Sequence, residues 1–206
     1  KNIRIIDRTT IEDVLKELCT VCNAVVLGAG QAHHYLKGMG TTLDACVVYN
    51  NNAYIGHAGN GRVYHSPCGS LLKKVTREHV IYPQGSEAMP EERRTLIESR
   101  LGLENYVGSG GFYVDTHHFS LAQGDILFMA TDGLTHTVSE REIAACLSEW
   151  GSVRANLLRM SEHPEDIARA FCIQQGSSED PQLFGNAQRK LGGHDNTSFI
   201  AVRRME

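Results

Sequence analysis

The stretch Ile126-Leu127-Phe128-Met129-Ala130-Thr131-Asp132-Gly133-Leu134 decides how this chain is read. A short apolar run bounded by turn formers is the pattern of a buried strand. Asp132 follows at its end, with a glycine beside it. The mirror arrangement occurs about sixty residues further on, where Gly192-Gly193-His194-Asp195-Asn196 precedes Ser198-Phe199-Ile200-Ala201-Val202. A carboxylate at the end of a rigid strand, next to a glycine that lets backbone approach, is how a protein fixes a hard cation through oxygen ligands. Each motif taken alone is also an ordinary turn sequence. Two in one chain point to a shared metal site with Asp132 and Asp195 as its ligands.

Working outward, strands are expected over 42–49 and 53–58, joined at Asn50-Asn51-Asn52, with a third at Arg62-Val63-Tyr64-His65. That strand closes at Pro67-Cys68-Gly69, before the run 71–75. Phe112-Tyr113-Val114-Asp115 reads as a further strand, and Gly124-Asp125 as the turn into the Ile126 run. Thr10 with Asp13 opens a helix over 11–26, which Gly28 to Gly30 should interrupt. Its stripe is Leu15, Leu18, Cys22, Val25 and Val26. Helices are also expected over 90–101, 139–150, 152–160 and 164–174, and 174–186 reads as a polar loop. Ser139 and Glu142 form a capping box, followed by Ile143, Cys146, Leu147 and Trp150 on one face. Short turns between strands imply antiparallel pairing, and amphipathic helices need sheet faces to cover. The expected fold class is therefore α+β, an antiparallel β-sandwich flanked by helices in α-β-β-α layers.

The 206 residues suffice for one well-buried domain, and the formal net charge of -4 gives no basic footprint for nucleic acid. No apolar stretch approaches transmembrane length, and the start Lys1-Asn2-Ile3-Arg4-Ile5-Ile6-Asp7 lacks the apolar core of a signal peptide. A soluble, cytoplasmic domain is expected. Six cysteines form no dense disulfide framework, so reduced thiols are the default. Cys19-x-x-Cys22 with His33-His34 has the outline of a zinc half-site, but the cysteines fall on the apolar stripe as small core residues. His33-His34 and His117-His118 read as surface histidines, and Arg62 as the partner of a carboxylate at the core rim.

Further segments fall in a specific order: Gly38-Met39-Gly40-Thr41-Thr42-Leu43, then His57-Ala58-Gly59-Asn60-Gly61-Arg62-Val63-Tyr64, then Thr76-Arg77-Glu78-His79, then the two aspartate turns. From about Leu18 to Arg203 the chain resembles the metal-dependent protein serine/threonine phosphatases of type 2C, the PPM family. The resemblance implies that family's sandwich and a pair of Mn2+ or Mg2+ ions. Asp132 and Asp195 would be ligands of one ion, with Asn196 bracing the second turn. A metal-activated water would hydrolyse phosphoserine or phosphothreonine on a partner protein such as a protein kinase substrate. No catalytic residue is assigned beyond the metal ligands.

The departures are specific. Nothing matches the family's Asp-Gly-x-Gly-Gly turn, whose aspartate bridges both ions, or its early phosphate-binding arginine. Asn60 stands where the family has an aspartate associated with a further, weaker metal position. Residues 1–206 are thus expected to form a single phosphatase-like domain apparently lacking the family's N-terminal strands and first metal motif. Three classes stay open: a phosphatase domain whose bridging aspartate is supplied from outside this chain, a pseudophosphatase that binds a partner or phospho-segment, and a sandwich in which both aspartate turns are only turns.

Overall fold

The computed structural model describes residues 8–67, 72–83, 101–136, 138–148 and 198–204. The expected helices over 90–101, 152–160 and 164–174, Trp150, and the Cys68-Gly69 turn lie outside the described residues. The chain divides into two compact units.

The first unit comprises Lys1–Gly61, Val75–Ile81 and Gly102–Ala122. Helix α1 (Arg8–Ala32) lies on an antiparallel sheet of β1 (Leu43–Tyr49), β2 (Asn52–Ala58) and β5 (Asp115–Ser120), in the order β1-β2-β5. Asn50 and Asn51 carry the hairpin at φ 45° and 63°, the left-handed conformation that asparagine tolerates best among non-glycine residues. Ile11 and Leu15 of α1 pack on Tyr54 with Ala45 beside them, and Cys19 sits over Gly56. A Cβ at Gly56 would stand 3.3 Å from the Cys19 sulfur, so the bare glycine is what lets helix and strand approach.

The helix departs from expectation in two ways. It continues through Gly28 and Gly30 to Ala32. Glycine costs a helix only about 1 kcal/mol relative to alanine, less than the continued ladder returns when no proline intervenes. The buried stripe is Ile11, Leu15 and Cys19, whereas Leu18, Val25 and Cys22 are exposed. Two apolar stripes run along this helix, the other being Val14, Leu18, Val21 and Val25, and periodicity cannot say which one meets the sheet.

Strand β5 begins at Asp115, where the expected strand was to end. Both peptide groups of Tyr113 are taken by the Asn105 side chain, so that stretch has no ladder bonds to give. His117 is correspondingly not a surface histidine. Its Nε2 is buried without a hydrogen-bond partner, and burial, followed in size by the opposing influence of Asp115 and then by His57 and His79, holds its pKa below the ordinary value. His33 and His34 are exposed, as expected.

The second unit comprises Arg62–Lys74, Tyr82–Leu101 and Gln123–Glu206. Its sheet runs β4-β3-β6-β7, all neighbours antiparallel, from β3 (Arg62–Ser66), β4 (Lys73–Lys74), β6 (Ile126–Ala130) and β7 (Phe199–Arg203). The single turn α2 (Asp132–Thr135) leads to α3 (Glu140–Ser148). Tyr64, Ile126, Phe128 and Ala130 of the sheet bury one face against Leu134, Val138, Ile143 and Leu147. Each large apolar side chain so buried contributes roughly 1.5–3 kcal/mol. The 143/147 spacing is the expected helical face.

Two antiparallel sheets, each with helix packed on it, give the α+β class that the turn lengths imply. Among the described residues, no helix is long and apolar enough to cross a membrane.

Candidate functional site

Asp132 begins α2 immediately after β6, with its side chain 19 % exposed. What holds it there is strand pairing. In the register of β6 and β7, Ala130 faces Phe199. One step beyond, the Thr131 N–H donates to the Ser198 carbonyl (3.0 Å), and the Ser198 N–H donates to the Thr131 hydroxyl oxygen (3.0 Å). That hydroxyl donates in turn to the Ser198 carbonyl at 3.3 Å. Gly133, Leu134 and Thr135 are buried behind the carboxylate, so the turn cannot swing away without exposing core. One turn on, His136 donates its backbone N–H to the Asp132 carbonyl at 2.8 Å. Its Nδ1 stands 3.9 Å from Asp132 Oδ2, too long for a hydrogen bond but close enough for a charge contact.

A hard divalent cation needs several oxygen ligands. Asp132 fits Mn2+ or Mg2+ in kind, being a carboxylate fixed at a strand end. Among the described residues, no group of three or more His, Cys, Asp or Glu side chains is arranged to hold a metal ion. Asp195, with His194 and Asn196, lies outside the described residues.

Beside the end of β6, Arg62 is almost fully buried at the start of β3, opposite Ala130. Its Nη1 is 4.0 Å from Glu140 Oε1, the carboxylate partner expected for it. The Tyr64 hydroxyl donates to the same oxygen at 3.1 Å. Burial raises the Tyr64 pKa strongly; Arg62 lowers it and Glu140 raises it by smaller amounts. This phenol therefore stays protonated and serves as a donor.

In the first unit, the turn after β2 carries Asn60 between Gly59 and Gly61. The Gly59 N–H donates to His79 Nδ1 at 3.2 Å, and its carbonyl accepts from the His79 N–H at 2.7 Å. His57 places Nδ1 2.6 Å from Asp44 Oδ1 and Nε2 2.9 Å from the Arg77 carbonyl oxygen. Asn105, with no exposure at all, bridges His79 and Tyr113. Thr41 enters β1 through paired backbone bonds with Val107, both 2.9 Å. Cys46 is held protonated, its pKa pushed up to about 11 by burial. Cys22 is exposed on α1, and among the described residues no metal-holding group of three or more side chains includes the Cys-x-x-Cys pair.

In the sequence His57 and His79 stand only as parts of longer motifs, and Asn105 and His136 stand outside those motifs. The histidines lie in motifs whose spacing is a usable signal. Asn105 lies in a loop with none.

No protein-family model matches the chain. The serine/threonine phosphatase stp of Listeria welshimeri is 26 % identical over 197 residues, which is 92 % of this chain and 66 % of the relative. The chain thus spans slightly less than two thirds of that relative's length. Among solved structures, the S. agalactiae serine/threonine phosphatase superposes with a TM-score of 0.67 at 21 % identity, covering 100 % of this chain and 75 % of the other. The catalytic domain of the serine/threonine protein phosphatase PstP, solved in complex with two manganese ions, gives a TM-score of 0.59 at 19 % identity over 89 % of this chain and 67 % of that one. These superpositions show that the fold is the one type 2C phosphatases share.

Proposed function

We propose, on the premise that its relatives and fold assign this chain to the type 2C family of protein serine/threonine phosphatases, that it is a metal-dependent phosphoprotein phosphatase domain over 1–206. Its substrates are phosphoserine and phosphothreonine on a protein partner. Asp132 and Asp195 are the carboxylates that hold a divalent cation, Mn2+ or Mg2+, and Asn196 braces the second turn. A bound cation of this kind neutralises phosphoryl oxygens and lowers the pKa of a coordinated water.

The observation that supports the pairing of the two aspartates is the reciprocal bonding of Thr131 with Ser198. Thr131 is next to Asp132, and Ser198 is three residues after Asp195, a reach of at most about 11 Å. The role of Thr131 is to keep the Asp132 carboxylate at the strand end. Calorimetric titration with Mn2+ tests this. The wild type should bind, and Asp132→Asn and Asp195→Asn should each weaken binding at least about tenfold, because affinity rises with ligand charge. Unchanged affinity in both variants would refute the site.

The chain contains no Asp-Gly-x-Gly-Gly turn and carries Asn60 in place of an aspartate. These observations favour a second reading, a pseudophosphatase that binds phosphorylated segments. In the phosphatase reading too, the bridging aspartate would be supplied from outside these residues, so turnover of a phosphopeptide with Mn2+ by this chain alone should be very slow or absent. Robust turnover abolished by Asp132→Asn would eliminate that second reading.

A further inference from the structure

Gly59 is bound through both of its peptide groups by a single residue. Its N–H donates to Nδ1 of His79 at 3.2 Å, and its carbonyl accepts from the His79 backbone N–H at 2.7 Å. Its φ of +121° and the Thr42 side chain above it leave room for glycine alone.

The imidazole that makes this clamp is itself held on every side. Nε2 stands 2.9 Å from Asp115 Oδ2, and Asn105 Nδ2 stands 2.9 Å from Nδ1. The ring lies between those of His57 and Tyr113, with centroids 4.6 and 4.9 Å away. Donor and acceptor accounting fixes the tautomer. Nδ1 faces two N–H donors and must be the bare nitrogen, whereas Nε2 faces a carboxylate and carries the proton. The Asn105 amide cannot be reversed, because its nitrogen donates to the Tyr113 carbonyl (2.8 Å) while its oxygen accepts from the Tyr113 N–H (3.1 Å). His57 completes the arrangement by bonding the Arg77 carbonyl oxygen, which fixes the backbone two residues before His79.

We propose that His79 is the positioning residue of the Gly59–Gly61 turn, an imidazole clamp that sets where residue 60 is presented. The clamp stands on hydrogen-bond geometry alone. Its consequence rests on the phosphatase reading, in which position 60 belongs to a turn of the metal-binding signature.

Nitrogen-15 NMR of the whole chain tests it. In the wild type His79 should show a protonated Nε2, a bare Nδ1, and a scalar coupling across the Gly59 N–H to Nδ1 hydrogen bond. His79→Phe keeps a ring between His57 and Tyr113 but removes the acceptor, so Gly59 amide exchange should rise roughly tenfold while Leu15 in α1 is unaffected. His79→Gln, whose amide oxygen can accept, should restore part of the protection. A protonated Nδ1 in the wild type, or unchanged Gly59 exchange in His79→Phe, overturns the proposal. Should His79→Phe not fold, the wild-type tautomer and coupling decide. The Mn2+ titration of Asp132→Asn can fail without altering any of these signals, so the two readings fail separately.

Discussion

Replacing Gly59 by alanine should be among the most damaging single-methyl additions in the first unit. Two costs add at this position. The φ of +121° is a region that residues with a Cβ rarely adopt, a strain of about 1–3 kcal/mol. The new Cβ would also stand 2.4 Å from Thr42 Cγ2, 2.6 Å from its Cβ and 3.1 Å from its Cα. Rotating Thr42 about χ1 moves Cγ2 but not the other two atoms, so the clash must be met by backbone movement, about 1–3 kcal/mol more. The expected loss is about 4 kcal/mol, which for a chain of this size lowers Tm by about 8–16 °C. Gly28→Ala is the matched control. It lies inside α1 with nothing within 4 Å of the new methyl, so it should stabilise by about 0.5–1 kcal/mol. Urea and thermal unfolding of both variants measure the difference. A Gly59→Ala protein within about 1 kcal/mol of wild type would show that the backbone at 59, or the place of Thr42 above it, is misread.

Three further outcomes are expected. Tyr64→Phe should cost about 1 kcal/mol in urea unfolding, because it removes the donor to Glu140 while that carboxylate, 40 % exposed, turns to water. His117 has a folded-state pKa below its ordinary 6.5, so as pH falls below about 6.5 the unfolded chain takes up a proton that the folded chain refuses. Stability should therefore fall from about pH 6.5 downward until the folded value is reached, and a flatter profile in His117→Gln, read by denaturation at pH 5 and 7, is the check. Asn60→Asp should tighten Mn2+ binding if this turn faces the cation, since it adds a charged oxygen ligand; equal calorimetric affinities would leave Asn60 as an ordinary turn residue.

The sequence by itself determined the elements whose pattern carries its own physical reason. The Asn50-Asn51 hairpin follows from residues that tolerate left-handed backbone, and β1, β2, β3 and β6 follow from apolar runs closed by turn formers. The Ile143 and Leu147 face follows from helical spacing. The type 2C resemblance is likewise legible, because its motifs keep their order along the chain. Tertiary structure alone decided which of two apolar stripes on α1 is buried, since both have the same period and only the sheet beneath, with bare Gly56 admitting Cys19, breaks the tie. It also decided that Asp115-Thr116-His117-His118-Phe119-Ser120 is a strand, because pairing with β2 gives those polar residues a ladder that propensity would not. For the candidate site, the sequence supplied Asp132 as a carboxylate expected to suit a hard cation. The bonds of Thr131 to Ser198, and the clamp of His79 on Gly59, join residues 67 and 20 positions apart. No local pattern encodes such contacts, because their energy exists only once separate strands and loops have been brought together.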